Sequence, residues 1–189
     1  MSVTQSLSSP FKPATENVLR SIKQRQLVKH WASKCGDRPL PLWSQAHLTD
    51  FPSMRDDLSV LRVKQENGAL RLQIIEHGSG PGLLYNSQCA GKHIDEVVPP
   101  DAVAATHEVY AKCIGTQRPV YTIATTKDRF AKPVAYERLL MPFTLGGTEV
   151  EIILASLEAI SVEGAFERSN LLGAANVNPV AGVRAIIMA

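Results

Sequence analysis

Between Leu58 and His77 apolar and polar side chains change places one by one: Leu61 and Val63, then Leu70, Leu72 and Ile74, alternate with Arg62, Lys64, Arg71 and Gln73. A period of two marks strands with one buried face, and Asn67-Gly68 between them suits the positive φ angles of a tight turn. The pattern predicts a hairpin. A short helical middle follows from Cys89 to Gly115, where Pro99-Pro100 stops any preceding helix. Asp101 is then expected to cap a helix whose Val103, His107, Tyr110 and Ile114 share one face. Three further strands are expected over Val120 to Thr126, Ala135 to Phe143 and Thr148 to Ala159, with a tight turn at Gly146-Gly147. Short connections imply antiparallel neighbours. The expected fold class is therefore α+β: a five-stranded antiparallel sheet with flanking helices and an extra N-terminal helix.

The flanks read differently. Residues 1–14, rich in Ser and Pro, are expected to form a flexible leader. Residues 15–34 are expected to form a helix capped by Thr15, with Val18, Leu19, Ile22, Gln26, Val28 and Trp31 partly on one stripe. Residues 35–160 are expected to be the domain proper, entered through a proline-interrupted connector with Leu40, Leu42 and Trp43 available for docking. Residues 161–189 are expected to form a C-terminal extension, whose part from Leu171 to Ala189 reads as a docking or dimer segment or as a weakly ordered tail. The run His77-Gly-Ser-Gly-Pro-Gly82 fits neither GxGxxG nor GxxxxGK[ST] and reads as a flexible turn rather than a phosphate loop.

Composition narrows the function classes. The chain has 189 residues, enough for one sizeable core with extensions. With 20 Lys and Arg against 18 Asp and Glu, its net charge of +2 gives no field to attract nucleic acid or an anionic membrane. The three cysteines, Cys35, Cys89 and Cys113, show no CxxC spacing, and the chain starts without a signal-peptide pattern. A reducing cytoplasm is the expected location. The greasiest stretch, Val150 to Ile160, is broken by Glu151 and Glu158, so no membrane span is expected.

The order of two strands, helices across and three strands, with the Trp31 helix end, Gly36-Asp37-Arg38-Pro39-Leu40-Pro41, Ala90-Gly91-Lys92-His93-Ile94-Asp95-Glu96, and Tyr136 to Pro142 followed by Val150 to Leu157, resembles the Per-Arnt-Sim (PAS) superfamily. More narrowly it resembles a bacterial family of stand-alone PAS-like proteins. The resemblance covers about Trp31 to Ile160. It implies a sheet flanked by helices that binds a small ligand or a signalling protein, and it implies no enzyme. No kinase motif, DNA-reading helix pair or cyclase signature is found in the flanks, so an output would come through another protein.

Few residues invite chemistry. His107 and Tyr110 lie one turn apart on the helix that covers the pocket in PAS-like folds, where an imidazole could ligate haem iron; a hydrogen-bonded core or rim histidine is the preferred reading. Cys113 lacks the setting of a flavin-adduct cysteine and reads as an inert buried thiol. Alternation puts Tyr136, Arg138 and Leu140 on one face and Glu137, Leu139 and Met141 on the other. Leu139 and Met141 read as core, and Arg138 either meets an acidic ligand or, as preferred, forms a surface pair. His93, Asp95 and Glu96 read as a solvated helix face rather than a metal cluster. Tyr85, His107, Tyr110, Tyr121, Tyr136 and Arg138 are thus the candidate ligand-binding residues, with no catalytic or metal residue named. The leading expectation is a cytoplasmic PAS sensor, dimeric through the Thr15 helix. The alternatives are a ligand-free adaptor, distinguished by a solid core, and a small cone-shaped α+β enzyme.

Overall fold

The computed structural model of the chain describes residues 9–45, 48–66, 68–173 and 180–189. In chain order the elements are strand β1 (Lys12–Ala14), helix α1 (Ile22–Cys35), strands β2 (Leu58–Glu66) and β3 (Ala69–His77), and helices α2 (Ser79–Tyr85) and α3 (Pro100–Thr116). Strands β4 (Val120–Lys127), β5 (Pro133–Phe143), β6 (Ile152–Ile160) and β7 (Val180–Ile187) complete the chain. In the hairpin, Leu61 pairs with Ile74, Val63 with Leu72 and Glu66 with Ala69, so a two-residue turn remains. Gly68 takes φ +77°, as such a turn requires; Asn67 lies outside the described residues. Leu61, Leu72 and Ile74 are buried, and Arg62 and Lys64 face solvent.

Among the described residues the sheet has seven strands, in the order β1-β7-β4-β5-β6-β2-β3. Its middle five are the expected hairpin and meander, all antiparallel and joined by the helical crossing. The expectation of five strands is corrected at the β4 edge. There β7 pairs antiparallel along Val120 to Thr125, and β1 pairs parallel with β7. Residues read as leader and tail thus supply strands, although 1–8 and 174–179 lie outside the described residues. The physical reason is that an open β4 edge would leave a row of unpaired N–H and C=O groups. Ala185 and Ile187 enter the core. Arg184 lies 3.9 Å over the Phe11 ring and 2.8 Å from Glu108 of α3, so the added strand is fastened to the helix as well.

Helices cover both sides of the sheet. α1 lies on one: Gln24 Nε2 donates to Ser156 Oγ (3.3 Å) and the Glu137 carbonyl (3.4 Å), and Trp31 Nε1 donates to the Pro142 carbonyl (2.7 Å). α2 and α3 lie on the other. With both faces covered, residues 136–143 are buried without a break, so alternation along β5 no longer separates inside from outside. Leu40 is buried, and the Trp43 N–H donates to the Thr144 carbonyl, so the proline connector docks as expected.

Three local expectations are corrected. α1 starts at Ile22, capped by Ser21, whose hydroxyl accepts from the Gln24 N–H; it buries Gln24, Leu27, Val28 and Trp31 and leaves Ile22 exposed. Its apolar stripe therefore meets its own sheet. α3 starts at Pro100, which suits the first helical position because it needs no N–H partner there, and Asp101 sits in the first turn instead of capping. Its buried face is Thr106, Val109, Tyr110 and Cys113. The His77 to Gly82 run is not a flexible turn: His77 ends β3, Gly78 caps α2, and Ser79 to Gly82 are in the helix. Gly78 enters it so close to the backbone carbonyls of Arg55 and Asp56 that a Cβ would collide with them.

Candidate functional site: a cavity with a buried guanidinium

Between the sheet and helices α2 and α3 lies a cavity of about 30 Å³ open to water centres. Leu61 of β2, Ile74 of β3 and Ala155 and Leu157 of β6 give it apolar walls, Tyr85 ends α2 beside it, and Tyr110 reaches it from α3. Arg138 enters from β5, where it pairs across the strands with Leu157. Ser59 and Tyr85 are the lining residues that keep partial exposure.

Arg138 is 8% exposed. Among the described residues no carboxylate lies within ion-pair distance of it. Taking a charge out of water costs several kcal/mol unless a partner compensates, on the order of the stability margin of a domain. What surrounds the guanidinium is phenolic. The Tyr136 ring centroid is 5.8 Å away, and Tyr85 and Tyr110 are its other close neighbours. Burial acts against the charge on Arg138, but Tyr85, Tyr136 and Tyr110 outweigh it and hold its pKa above the ordinary value. Burial also pushes Tyr110 well above the usual tyrosine range, and Tyr136 up to about 12. At neutral pH the site therefore presents one fixed cation and, in Tyr110 and Tyr136, protonated phenols able to donate. The preference for a surface pair at Arg138 is corrected by its burial.

The six candidate residues separate into three groups. Tyr85, Tyr110 and Arg138 line the cavity. Tyr136 stands beside Arg138 in a satellite cluster with Leu84, Leu157 and Leu171, where the segment after β6 packs over α2. Tyr121 and His107 do not line it. Tyr121 points to the α1 side, where its hydroxyl donates to Glu137 Oε2 (2.7 Å) and accepts from the Arg20 N–H. His107 sits at the rim, with Nε2 3.6 Å from Asp95 Oδ1. Cys113 is buried with its thiol against the Leu140 carbonyl, and burial raises its pKa. Among the described residues no group of three His, Cys, Asp or Glu side chains gathers to hold a metal. Ser59, Cys89, Ile94, Ala155 and Leu157 also line the cavity and were not singled out by sequence. Once β5 and β6 are in register, the alternation Ala155-x-Leu157 beside Arg138 would have pointed to two of them.

Asp95 is partly exposed but not free in solvent. It pairs with Arg71 of β3 at 2.9 Å, tying the turn before α3 to the hairpin. Burial acts to raise the Asp95 carboxyl, but a backbone hydrogen bond, Arg71 and His107 outweigh it and leave its pKa below the ordinary value. A depressed folded-state pKa contributes stability that is present above the unfolded carboxylate pKa and lost as pH falls through the folded value. Asp95→Asn is therefore expected to flatten the acid limb of a melting-temperature profile below about pH 4, with little change near neutrality beyond a small constant loss. An unaltered acid limb would show that the pair contributes nothing.

No protein-family model and no curated protein matches the chain. Among solved structures, the PAS domain of a protein from Colwellia psychrerythraea aligns at a TM-score of 0.43 and 13% identity, covering 60% of this chain and 97% of that one. Among the described residues no helix is long and apolar enough to cross a membrane. The hairpin, the helical crossing and the antiparallel meander follow one another on one sheet in the order expected from sequence.

Proposed function

We propose that the protein is a PAS-type sensory module that works by binding a small ligand in this cavity rather than by catalysis, and passes the result to another protein. The observation that carries this reading is a cavity with apolar walls and a few convergent polar groups, Arg138, Tyr110 and Tyr85, which is the usual make-up of a ligand site. Its location, the cytoplasm, is favoured by three cysteines that form no disulfide. A homodimer through α1 belongs to the same reading, with the exposed Ile22 at the start of the helix as the residue to probe; light scattering of Ile22→Glu tests it. The ligand-free adaptor is the second reading, favoured by how little of the core is empty. Thermal-shift screening of small metabolites separates the two. The sensor reading expects compounds that stabilise the protein and lose their effect in Ala155→Met, whose longer side chain fills the cavity. A screen in which the variant responds as the native protein does would place binding elsewhere and favour the adaptor. An absorbance band from haem or flavin in the purified protein would overturn the expectation of a colourless ligand.

A further inference from the structure

We infer that the ligand of this cavity is a small aliphatic monocarboxylate, held by its two oxygens against the guanidinium of Arg138. The inference rests on the sensor reading and deepens it. Three observations on the same site lead to it, and each limits the ligand in a different way.

The first is charge. A guanidinium more than nine-tenths buried faces the cavity, and no carboxylate of the described residues compensates it. The planar fork of arginine matches a carboxylate with two parallel N–H···O bonds, a geometry that strengthens as water is excluded. One cation calls for one negative charge. Arg138 is the one Lys or Arg among the cavity's described lining residues. A dianion such as phosphate would bring a second charge into apolar walls with nothing to meet it.

The second is the donor set. Tyr85 and Tyr110 stand beside the guanidinium, and both phenols can donate to an anion that it holds. The third is size and polarity. About 30 Å³ open to water centres is room for roughly two waters, hence for a ligand of about one to three carbons. Around Arg138 most of the lining is apolar, with Leu61, Ile74, Ala155 and its cross-strand neighbour Leu157 suiting a methyl or ethyl group, and Ser59 and Cys89 are the small polar exceptions. At a ceiling of about 1.5 kcal/mol per non-hydrogen atom, acetate binds no more tightly than about tens of micromolar and propionate no more tightly than about a few micromolar, so the protein would respond to concentrations above those levels.

The test is calorimetric titration and thermal shift with sodium formate, acetate and propionate, against acetamide and propionamide and against chloride at equal ionic strength. The carboxylates are expected to raise the melting temperature and the neutral amides and chloride to leave it unchanged. Arg138→Met is expected to weaken acetate binding at least about 100-fold. It is also expected to leave the ligand-free melting temperature equal or higher, because an apolar side chain of similar volume replaces an uncompensated charge. Arg138→Lys keeps the charge without the fork, and is expected to bind acetate about 10-fold or more weakly, which keeps the test valid should the methionine variant fold poorly. Amides that bind as well as acids, or carboxylates that bind equally after either substitution, would overturn the inference and leave the cavity as the site of another ligand. Carboxylates without any effect would overturn it too, while the metabolite screen with Ala155→Met separately decides whether the cavity binds anything.

Discussion

Ending the chain after Gly173 is expected to lower the unfolding free energy by about 3 kcal/mol or more, a large share of the roughly 5–15 kcal/mol typical of a domain. The truncation removes β7. Ile187 and Ala185 are then lost from the core, and the β4 edge from Val120 to Thr125 loses its hydrogen-bonding partner. Burying one isoleucine stabilises by about 1.5–3 kcal/mol, and each ladder bond adds roughly 0.5–1.5 kcal/mol net. The Arg184 contacts with Phe11 and Glu108 go as well, and β1 loses the strand it pairs with. Urea unfolding is the measurement. A milder variant, Ile187→Ala, is expected to cost about 2–4 kcal/mol by leaving a cavity at the sheet edge. A truncated protein as stable as the full chain would mean that β7 is not part of the cooperative fold.

Trp31→Ala is expected to cost about 3–5 kcal/mol, the range for removing a large aromatic side chain from a core. Trp31 is 2% exposed on the face of α1 that meets the sheet, and its indole N–H donates to the Pro142 carbonyl. The loss has two parts, the apolar burial and the hydrogen bond. Trp31→Phe separates them, keeping a ring in place and leaving the carbonyl without its donor, with an expected cost of about 1–3 kcal/mol. Denaturant unfolding of both variants checks the pair. If Trp31→Ala costs less than about 1 kcal/mol, α1 does not close the second side of the sheet, and residues 136–143 would not be buried on both faces.

The hairpin and the meander were legible because their signals are local. Alternation at Leu61 and Val63, again at Leu70, Leu72 and Ile74, and a glycine in the turn are enough to set the strands and their pairing. β5 gave the opposite lesson. Arg138 and Glu137 are neighbours in sequence that point to opposite sides of the sheet, and both are buried because helices cover both sides. Polarity normally marks the solvent face, so a cation inside could not be told from one outside. α1 misled in the same way, since Gln24 is buried by its bonds to Ser156 and Glu137 while the apolar Ile22 is exposed. The outer strands needed a partner that sequence does not supply. β1 is three residues long and means nothing without β7, which lies more than 160 residues further on. β7 did carry a signal, the alternation Val183-x-Ala185-x-Ile187, but the single charge and the asparagines before it resemble an ordinary tail. In the glycine-rich α2, the helix is imposed by Leu84 and Pro81 burying against the sheet rather than by propensity.

Of the candidate site, Tyr110 was reachable from the element order, since a helix crossing an antiparallel sheet brings its inner face to the central strands, whereas the side taken by Arg138 was not. Tyr121 and His107 were not separable from the lining residues without the register. Tyr121 differs from its β4 neighbours only in which side it takes, and His107 is one helical step off the buried face of α3.

The account stands on the claim that the Arg138 guanidinium waits inside the cavity for an anion. A high-resolution crystal structure of the protein grown in acetate-free buffer and then saturated with acetate tests it directly. The expected result is planar density against the guanidinium, with both oxygens within about 3 Å of its nitrogens and the methyl group towards Ala155 and Leu157. Arg138 turned out to solvent, or paired with a carboxylate of the protein itself, would contradict the claim.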